Sequence, residues 1–114
     1  MPPSSVTVQP SPLPDGVLLT VSGDVDLARS PALRAAIATA NASSPKRLVV
    51  DLAEVPYMDS SGVATLVEAL QVARRRGSEL ILARLQPRVR SILEIARLTT
   101  IFRIVESVDD AKSA

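Results

Sequence analysis

Apolar positions repeat with two different spacings along the chain, and the alternation between them predicts the secondary structure. Short runs rich in branched apolar residues predict strands at residues 17–21, 47–52, 79–85 and 101–105. The segments between these runs place apolar residues three and four positions apart, which is typical of amphipathic helices. With a weaker strand expected over residues 5–9, the predicted order is β-β-α-β-α-β-α-β-α.

Local signals predict where the helices begin and end. Ser30 and Pro31 mark the start of the first helix, because serine can accept from the early amides and proline at the first helical position loses no hydrogen bond. The second helix is predicted to follow Gly62 and to end at Gly77, after three arginines whose charge suits the helix dipole. A proline opens the third helix, and residues 108–114 are expected to form a short terminal one.

The order of elements indicates the topology and the division of the chain. Each strand-helix-strand passage is a crossover, so we expect a mostly parallel sheet in an α/β domain. The first fourteen residues contain five prolines and cannot form a helix or a central strand throughout. We therefore predict a flexible proline-rich leader over residues 1–14, with the edge strand inside it and a turn at residues 12–16, followed by one domain over residues 15–114.

Composition narrows the classes of function. With 46% hydrophobic and 22% charged residues, the chain is typical of a soluble globular protein. The net charge of +1 argues against direct binding of duplex nucleic acid, and Tyr57 and Phe102 offer too few rings for single strands. The chain has no cysteine, no signal-peptide pattern and no apolar run of the roughly 18–20 residues needed for membrane insertion. We expect a cytoplasmic protein.

The segment Asp59-Ser60-Ser61-Gly62 joins a predicted strand to a predicted helix. Serine, aspartate and glycine are common at such a junction, so a capping serine would explain them without any further role. A nucleophilic serine is disfavoured, because the chain has no histidine to take its proton. Binding of a free phosphate is disfavoured as well, since Asp59 would repel an anion. We therefore expect no enzymatic activity, no catalytic residue, no metal site and no cofactor.

A fourth interpretation is that a hydroxyl of this segment accepts a phosphoryl group from another protein. A phosphoserine carries about −1.5 to −2 charges, and the dipole and free amides of a helix N-terminus tolerate such a charge. The domain could then be modified without unfolding. If the same position lies at the centre of a partner interface, the added charge would break that interface.

The chain resembles STAS domains, the anti-sigma factor antagonists of bacteria, in three segments. The core of the match is VVDLAEVPYMDSSGVATLVEALQVARRRG at residues 49–77. The stretch VSGDVDLARSPALRAAI is similar to the turn that follows the second strand in the family, with its Gly-x-hydrophobic-Asp pattern at residues 23–26. The tail LQPRVRSILEIARLTTIFRIVESVDDA resembles the proline-opened helix and short closing strand of the family. The resemblance covers residues 17–111.

The resemblance implies a fold, a function and a set of site residues. The fold is a mixed four- to five-stranded sheet with helices packed on one side. In the family, the unphosphorylated antagonist binds an anti-sigma factor, itself a serine kinase, and thereby frees a sigma factor. The kinase modifies the serine directly after the aspartate, here Ser60 with Ser61 as the fallback, and a serine phosphatase resets it. The residues so assigned to the partner-binding surface are Asp24, Asp26, Asp59, Ser60, Ser61 and Gly62.

The resemblance also implies how two loops are arranged and which other function the chain could have. The loop after the second strand and the start of the second helix can lie side by side at one end of the sheet. STAS domains also serve as small subunits of lipid-transporting ABC permeases, where they dock on a membrane partner without phosphorylation, and this is the alternative function. The serine directly after Asp59 favours the function of an anti-sigma factor antagonist, because the permease subunits often lack a serine at this position.

Overall fold

The computed structural model describes residues 6–112, which form a five-stranded sheet and four helices. The strands are β1 (Thr7–Leu13), β2 (Gly16–Ser22), β3 (Arg47–Glu54), β4 (Glu79–Ala83) and β5 (Arg103–Val105). The helices are α1 (Ser30–Asn41), α2 (Ser60–Arg76), α3 (Pro87–Ile95) and α4 (Val108–Lys112). The predicted order of elements is confirmed.

The strands follow one another across the sheet in the order β1-β2-β3-β4-β5. β1 pairs with β2 in antiparallel orientation, and the remaining three pairings are parallel. The predicted α/β class with a mixed sheet is therefore confirmed. Because β2, β3 and β4 are parallel, the loops that follow them emerge at the same edge of the sheet, and α2 and α3 both begin there.

Side chains of β3 alternate between two apolar clusters on the two faces of the sheet. Leu48, Val50 and Leu52 face the main core, which also contains the buried residues of α1, α2 and α3. Val49 belongs instead to a small cluster that includes Ala111 of α4. Three helices thus cover one face, as the resemblance implied, while the short α4 packs on the opposite face.

The opposite face also carries a buried charge on β3. Asp51 is almost fully buried, and its carboxylate accepts hydrogen bonds from Nε of Arg84 at 3.0 Å and from the amide of Ala53 at 3.1 Å. A second guanidinium nitrogen of Arg84 completes a bidentate pair. Such a pair compensates for the loss of hydration that a buried carboxylate would otherwise suffer.

The edge strand is longer than the predicted span of residues 5–9. Leu13 pairs with Gly16, so the hairpin loop consists of Pro14 and Asp15 alone and the predicted turn at residues 12–16 is too wide. Pro10 and Pro12 lie within β1, which is tolerated because an edge strand needs ladder bonds on one side only. The predicted boundary between residues 14 and 15 falls inside this hairpin. The first residues of the predicted leader, 1–5, lie outside the described residues.

Two helix starts differ from the prediction in detail. Ser30 is the first residue of α1, but its side chain makes no capping hydrogen bond, and its amide donates to the carbonyl oxygen of Asp26 at 2.7 Å. α2 begins at Ser60 rather than after Gly62.

Among residues 6–112, no helix combines the length and the apolar character needed to cross a bilayer.

Candidate functional site at the start of α2

The candidate site lies where the loop after β2 meets the loop after β3. The amide of Val25 donates to the carbonyl oxygen of Tyr57 at 3.0 Å, and the amide of Asp59 donates to the carbonyl oxygen of Val25 at 3.1 Å. These bonds form a parallel bridge between Val25 and Met58, whose side chains are both buried. The prediction that the two loops lie side by side is confirmed.

Asp59, and not a serine, is the N-cap of α2. Its backbone is extended, and its Oδ1 accepts from the amide of Ser61 at 2.9 Å and from the amide of Gly62 at 3.4 Å. The Ser61 hydroxyl donates to the same oxygen at 2.5 Å. The carboxylate therefore satisfies amides that have no partner within the helix, which is the usual means of stabilising a helix start.

The same contacts act on the ionisation of Asp59. The hydrogen bond from the Ser61 hydroxyl lowers the pKa of Asp59 below its usual value. Partial burial opposes this shift, and the amides of Ser61, Gly62 and Leu27 add to it. The carboxylate is consequently ionised at neutral pH. A negative charge thus stands permanently next to Ser60.

The two serines of the segment have different environments. Ser60 is the first residue of α2, it is exposed, and its hydroxyl makes no hydrogen bond within residues 6–112. Ser61 is half-buried, and its hydroxyl is engaged by Asp59. Ser60 therefore offers an accessible hydroxyl to an enzyme, whereas Ser61 would have to break a short hydrogen bond first.

Gly62 allows the first turn of α2 to approach the neighbouring loop closely. A Cβ atom at this position would lie 2.5 Å from Cγ of Met58, 2.9 Å from Cγ1 of Val25 and 3.0 Å from the carbonyl oxygen of Val25. Real side chains do not tolerate such distances without a shift of the backbone or of the neighbours. The glycine is thus a packing requirement of the site.

Asp24 and Asp26, the acidic residues of the β2–α1 loop, differ in their contacts. Asp26 forms an ion pair with the guanidinium of Arg29, and its Oδ1 accepts from the Arg29 amide at 3.1 Å. Asp26 therefore organises the turn that leads into α1. Asp24 is half-buried and makes no hydrogen bond or ion pair within residues 6–112.

Sequence reasoning assigned no role at this site to two apolar residues. Leu27 is 76% exposed, and its amide donates to Oδ2 of Asp59 at 3.2 Å. Tyr57 is 39% exposed, and the guanidinium carbon of Arg88 lies 5.8 Å from the centre of its ring. An apolar residue within a polar loop was the available signal for Leu27, but its contact with Asp59 spans 32 positions and is visible only in the structure.

A family model supplies the decisive comparison with known proteins. The model of the STAS domain matches residues 5–111. The chain belongs to the STAS domain family. The predicted family is therefore confirmed over nearly the whole chain.

Individual STAS proteins resemble the chain in sequence or in structure. An anti-sigma-B factor antagonist of Listeria monocytogenes is 34% identical over 90 residues, which cover 79% of each protein. The crystal structure of an anti-sigma factor antagonist from Mycobacterium paratuberculosis superimposes with a TM-score of 0.88 at 27% identity, covering 97% of this chain and 94% of that one. The phosphorylated form of the Bacillus cell fate determinant SpoIIAA has a TM-score of 0.73 at 19% identity, covering 94% and 97%. This last likeness concerns the fold alone.

Proposed function

We propose that the chain is an anti-sigma factor antagonist that works by partner switching. In its unphosphorylated form it binds an anti-sigma factor with serine kinase activity, and the sigma factor held by that protein is released. Phosphorylation of Ser60 ends the binding, and a serine phosphatase restores it. The relatives named as antagonists support the regulatory role.

The observation that carries the proposal is the state of the Ser60 hydroxyl. It is exposed and free of hydrogen bonds within the described residues, while Asp59 accepts from the amide of Ser61 and from the amide of Leu27 in the neighbouring loop. A kinase can therefore reach the acceptor oxygen without unfolding the helix. SpoIIAA, which shares this fold, has been solved in a phosphorylated form, so the fold is compatible with a phosphate.

A phosphate at Ser60 would act on the interface more than on the domain. The N-terminal dipole of α2 partly offsets the added charge, and repulsion from each exposed carboxylate nearby is on the order of 1 kcal/mol, less in salt. In a complex that covers Ser60, the dianion would also lose its water, which costs several kcal/mol more. Loss of hydration in the interface is therefore the larger effect.

We place the chain as the substrate of this chemistry and not as its catalyst. The ionised Asp59 already receives the Ser61 hydroxyl and three amides, and the chain has no histidine. Proton removal from Ser60 and delivery of the phosphoryl group would both fall to the kinase. We expect these events to take place in the cytoplasm, where a sigma factor acts.

A phosphorylation assay tests the proposal directly. We expect the ATPase-type anti-sigma factor from the same genome, with ATP, to add one phosphate to the chain and none to the Ser60→Ala variant, as measured by intact mass and peptide mapping. Ser61→Ala should still be modified. A phosphate that persists in Ser60→Ala, or a chain that is never modified, would contradict the assignment.

Co-purification separates this proposal from the permease alternative. A regulator should recover an anti-sigma factor from its host, and the recovery should fall when the kinase and ATP have modified the chain beforehand. Recovery of a permease complex that is indifferent to prior phosphorylation would instead support the transport subunit.

A further inference from the structure

We propose that Leu27 and Tyr57 are the apolar anchors by which the chain docks on the anti-sigma factor, and that they keep water away from Ser60 in the complex. This inference rests on the proposed function and adds to it the side chains that drive binding. It also explains how one phosphate could have a large effect.

Exposed apolar side chains lie next to the acceptor site. Within residues 6–112, four large apolar residues are exposed: Leu27, Tyr57, Ile95 and Ile101. Two of these four adjoin the acceptor site, since Leu27 is hydrogen-bonded to Asp59 and Tyr57 lies two positions before it. Exposed apolar groups that cluster at one place are typical of contact surfaces.

The backbone of both anchors is held in place before any partner binds. The Leu27 amide is fixed by Asp59, and the turn that follows is closed by hydrogen bonds to Asp26. The Tyr57 carbonyl oxygen is fixed by the Val25 amide, and its ring lies against the Arg88 guanidinium. An ordered backbone at both anchors and a Tyr57 ring that already has a neighbour lower the conformational entropy lost on association, so the area that they bury contributes more fully to affinity.

The position of the anchors next to Ser60 connects them with the effect of phosphorylation. Apolar residues around a contact exclude water from its centre, and the electrostatic cost of a charge rises steeply when water is excluded. Ser60 follows Asp59, to which Leu27 is bound. An interface sealed by Leu27 and Tyr57 would therefore leave a phosphate on Ser60 without hydration.

The occupant of this surface is a protein with apolar pockets around a small polar site. The pockets would receive Leu27 and Tyr57, and the polar site would face the uncharged Ser60 hydroxyl. The half-buried Asp24, which has no partner within the described residues, lies in the same loop as Leu27 and offers one carboxylate to a basic group at the rim. The anti-sigma factor kinase of the proposed function is the protein to which we assign these features.

Binding measurements with purified anti-sigma factor kinase from the same genome test the anchors. We expect Leu27→Ser and Tyr57→Ser each to raise Kd about tenfold or more by isothermal calorimetry. Tyr57→Phe keeps the ring and should bind like the wild type. Ile95→Ser is the matched control. Ile95 is also an exposed apolar residue, at 83%, but it is the last residue of α3, and only the start of that helix lies at the edge of the sheet that carries Ser60.

A double-mutant cycle tests the exclusion of water. Ser60→Asp should raise Kd in the wild-type background. The ratio of Kd with the Ser60→Asp change to Kd without it should be smaller by about threefold or more in the Leu27→Ser background, because the charge then stays hydrated. Thermal melting of each variant checks that the fold is intact, which we expect because both anchors are exposed.

The outcomes are distinguishable from a failure of the proposed function. If the kinase does not bind the wild type, the proposed function fails and the anchors with it. If Ser60→Asp weakens binding while Leu27→Ser and Tyr57→Ser behave like Ile95→Ser, the function stands and the anchors are wrong. If the anchors matter but the effect of Ser60→Asp is the same in both backgrounds, the proposed exclusion of water is wrong.

Discussion

The carboxylate of Asp59 joins the start of α2 to the amide of Leu27 in the β2–α1 loop. One oxygen caps the helix at Ser61 and Gly62, and the other accepts from Leu27 at 3.2 Å. The helix start and the loop are therefore parts of one hydrogen-bonded unit, with the exposed Ser60 hydroxyl at its surface. A partner that contacts Ser60 contacts a preformed surface, which is the condition for tight binding without rearrangement.

Replacement of Asp59 by asparagine tests the charge of the cap through its dependence on pH. The pKa of Asp59 is lowered in the folded protein, chiefly by the Ser61 hydroxyl, relative to an unfolded value of about 3.8. As the pH falls, the unfolded chain binds the proton first, so the stabilisation is complete above the unfolded pKa and is lost as the pH falls through the folded pKa. Wild type should exceed Asp59→Asn in stability at pH 5–7, by a margin that narrows below about pH 4. Guanidinium unfolding of both proteins across this pH range measures the difference between their free energies of unfolding. A difference that does not change with pH would refute the role of the charge.

Gly62→Ala should destabilise the domain although alanine is the better helix former. The added Cβ would lie 2.5 Å from Cγ of Met58, so the loop or the helix must shift, at an expected cost of about 1–3 kcal/mol. In Met58→Ala the shortest contact is gone, and the double variant should therefore lose less stability than the sum of the single ones. Urea unfolding of the four proteins gives the coupling, and strict additivity would mean that the contact with Met58 is not the cause.

The pattern of the sequence was sufficient for the order of the elements and for the family. Apolar runs such as residues 47–52 alternate with helical spacing, and crossovers between them leave little choice of topology. The segment at residues 59–62 was identified because it places two hydroxyls and a carboxylate where a predicted strand meets a helix, and because it lies in the core of the resemblance to STAS domains. Both inferences depend only on which residue types follow one another in short stretches of the sequence.

Other features of the site and of the fold depend on contacts between distant parts of the chain, which short stretches of sequence do not reveal. Aspartate and serine cap helices almost equally well, so the sequence could not show that Asp59 takes this role and leaves Ser60 free. The bond from Leu27 to Asp59 joins two loops that are far apart in the chain. The position of α4 on the opposite face follows from the packing of Ala111 against the small apolar cluster, and a five-residue helix carries too little pattern to predict it.

Arg84→Ala should destabilise the domain, because Arg84 pairs with the buried Asp51 on the face of the sheet that α4 covers. The Asp51 side chain is 3% exposed, and without Arg84 its carboxylate would keep, among the partners in residues 6–112, only the Ala53 amide. We expect a loss of about 1–3 kcal/mol, because water can reach the space left by the half-exposed arginine and limits the penalty. Arg34→Ala is the control, since the Arg34–Glu68 pair is about half exposed on both sides and should change stability by about 0.5 kcal/mol or less. Equal losses in the two variants would show that burial of Asp51 is not the deciding factor.

Ser60→Asp should weaken binding of the anti-sigma factor far more than Ser61→Ala. The aspartate places a permanent charge at the exposed start of α2, next to the ionised Asp59, and a covering partner would have to remove its water. Ser61→Ala removes one hydrogen bond to Asp59 but adds no charge, so its effect should be confined to a small loss of stability. Calorimetric titration compares the two variants.

The control for this comparison is Ser44→Asp, which adds the same charge at an exposed serine between α1 and β3, at the end of the sheet away from the start of α2. We expect Ser44→Asp to bind like the wild type, because its charge remains in water when the surface around Ser60 is covered. Ser60→Ala should also bind, since it is uncharged and small. If Ser60→Asp bound as tightly as these two proteins, a negative charge at the start of α2 would not control docking, and phosphorylation there could not act as the switch.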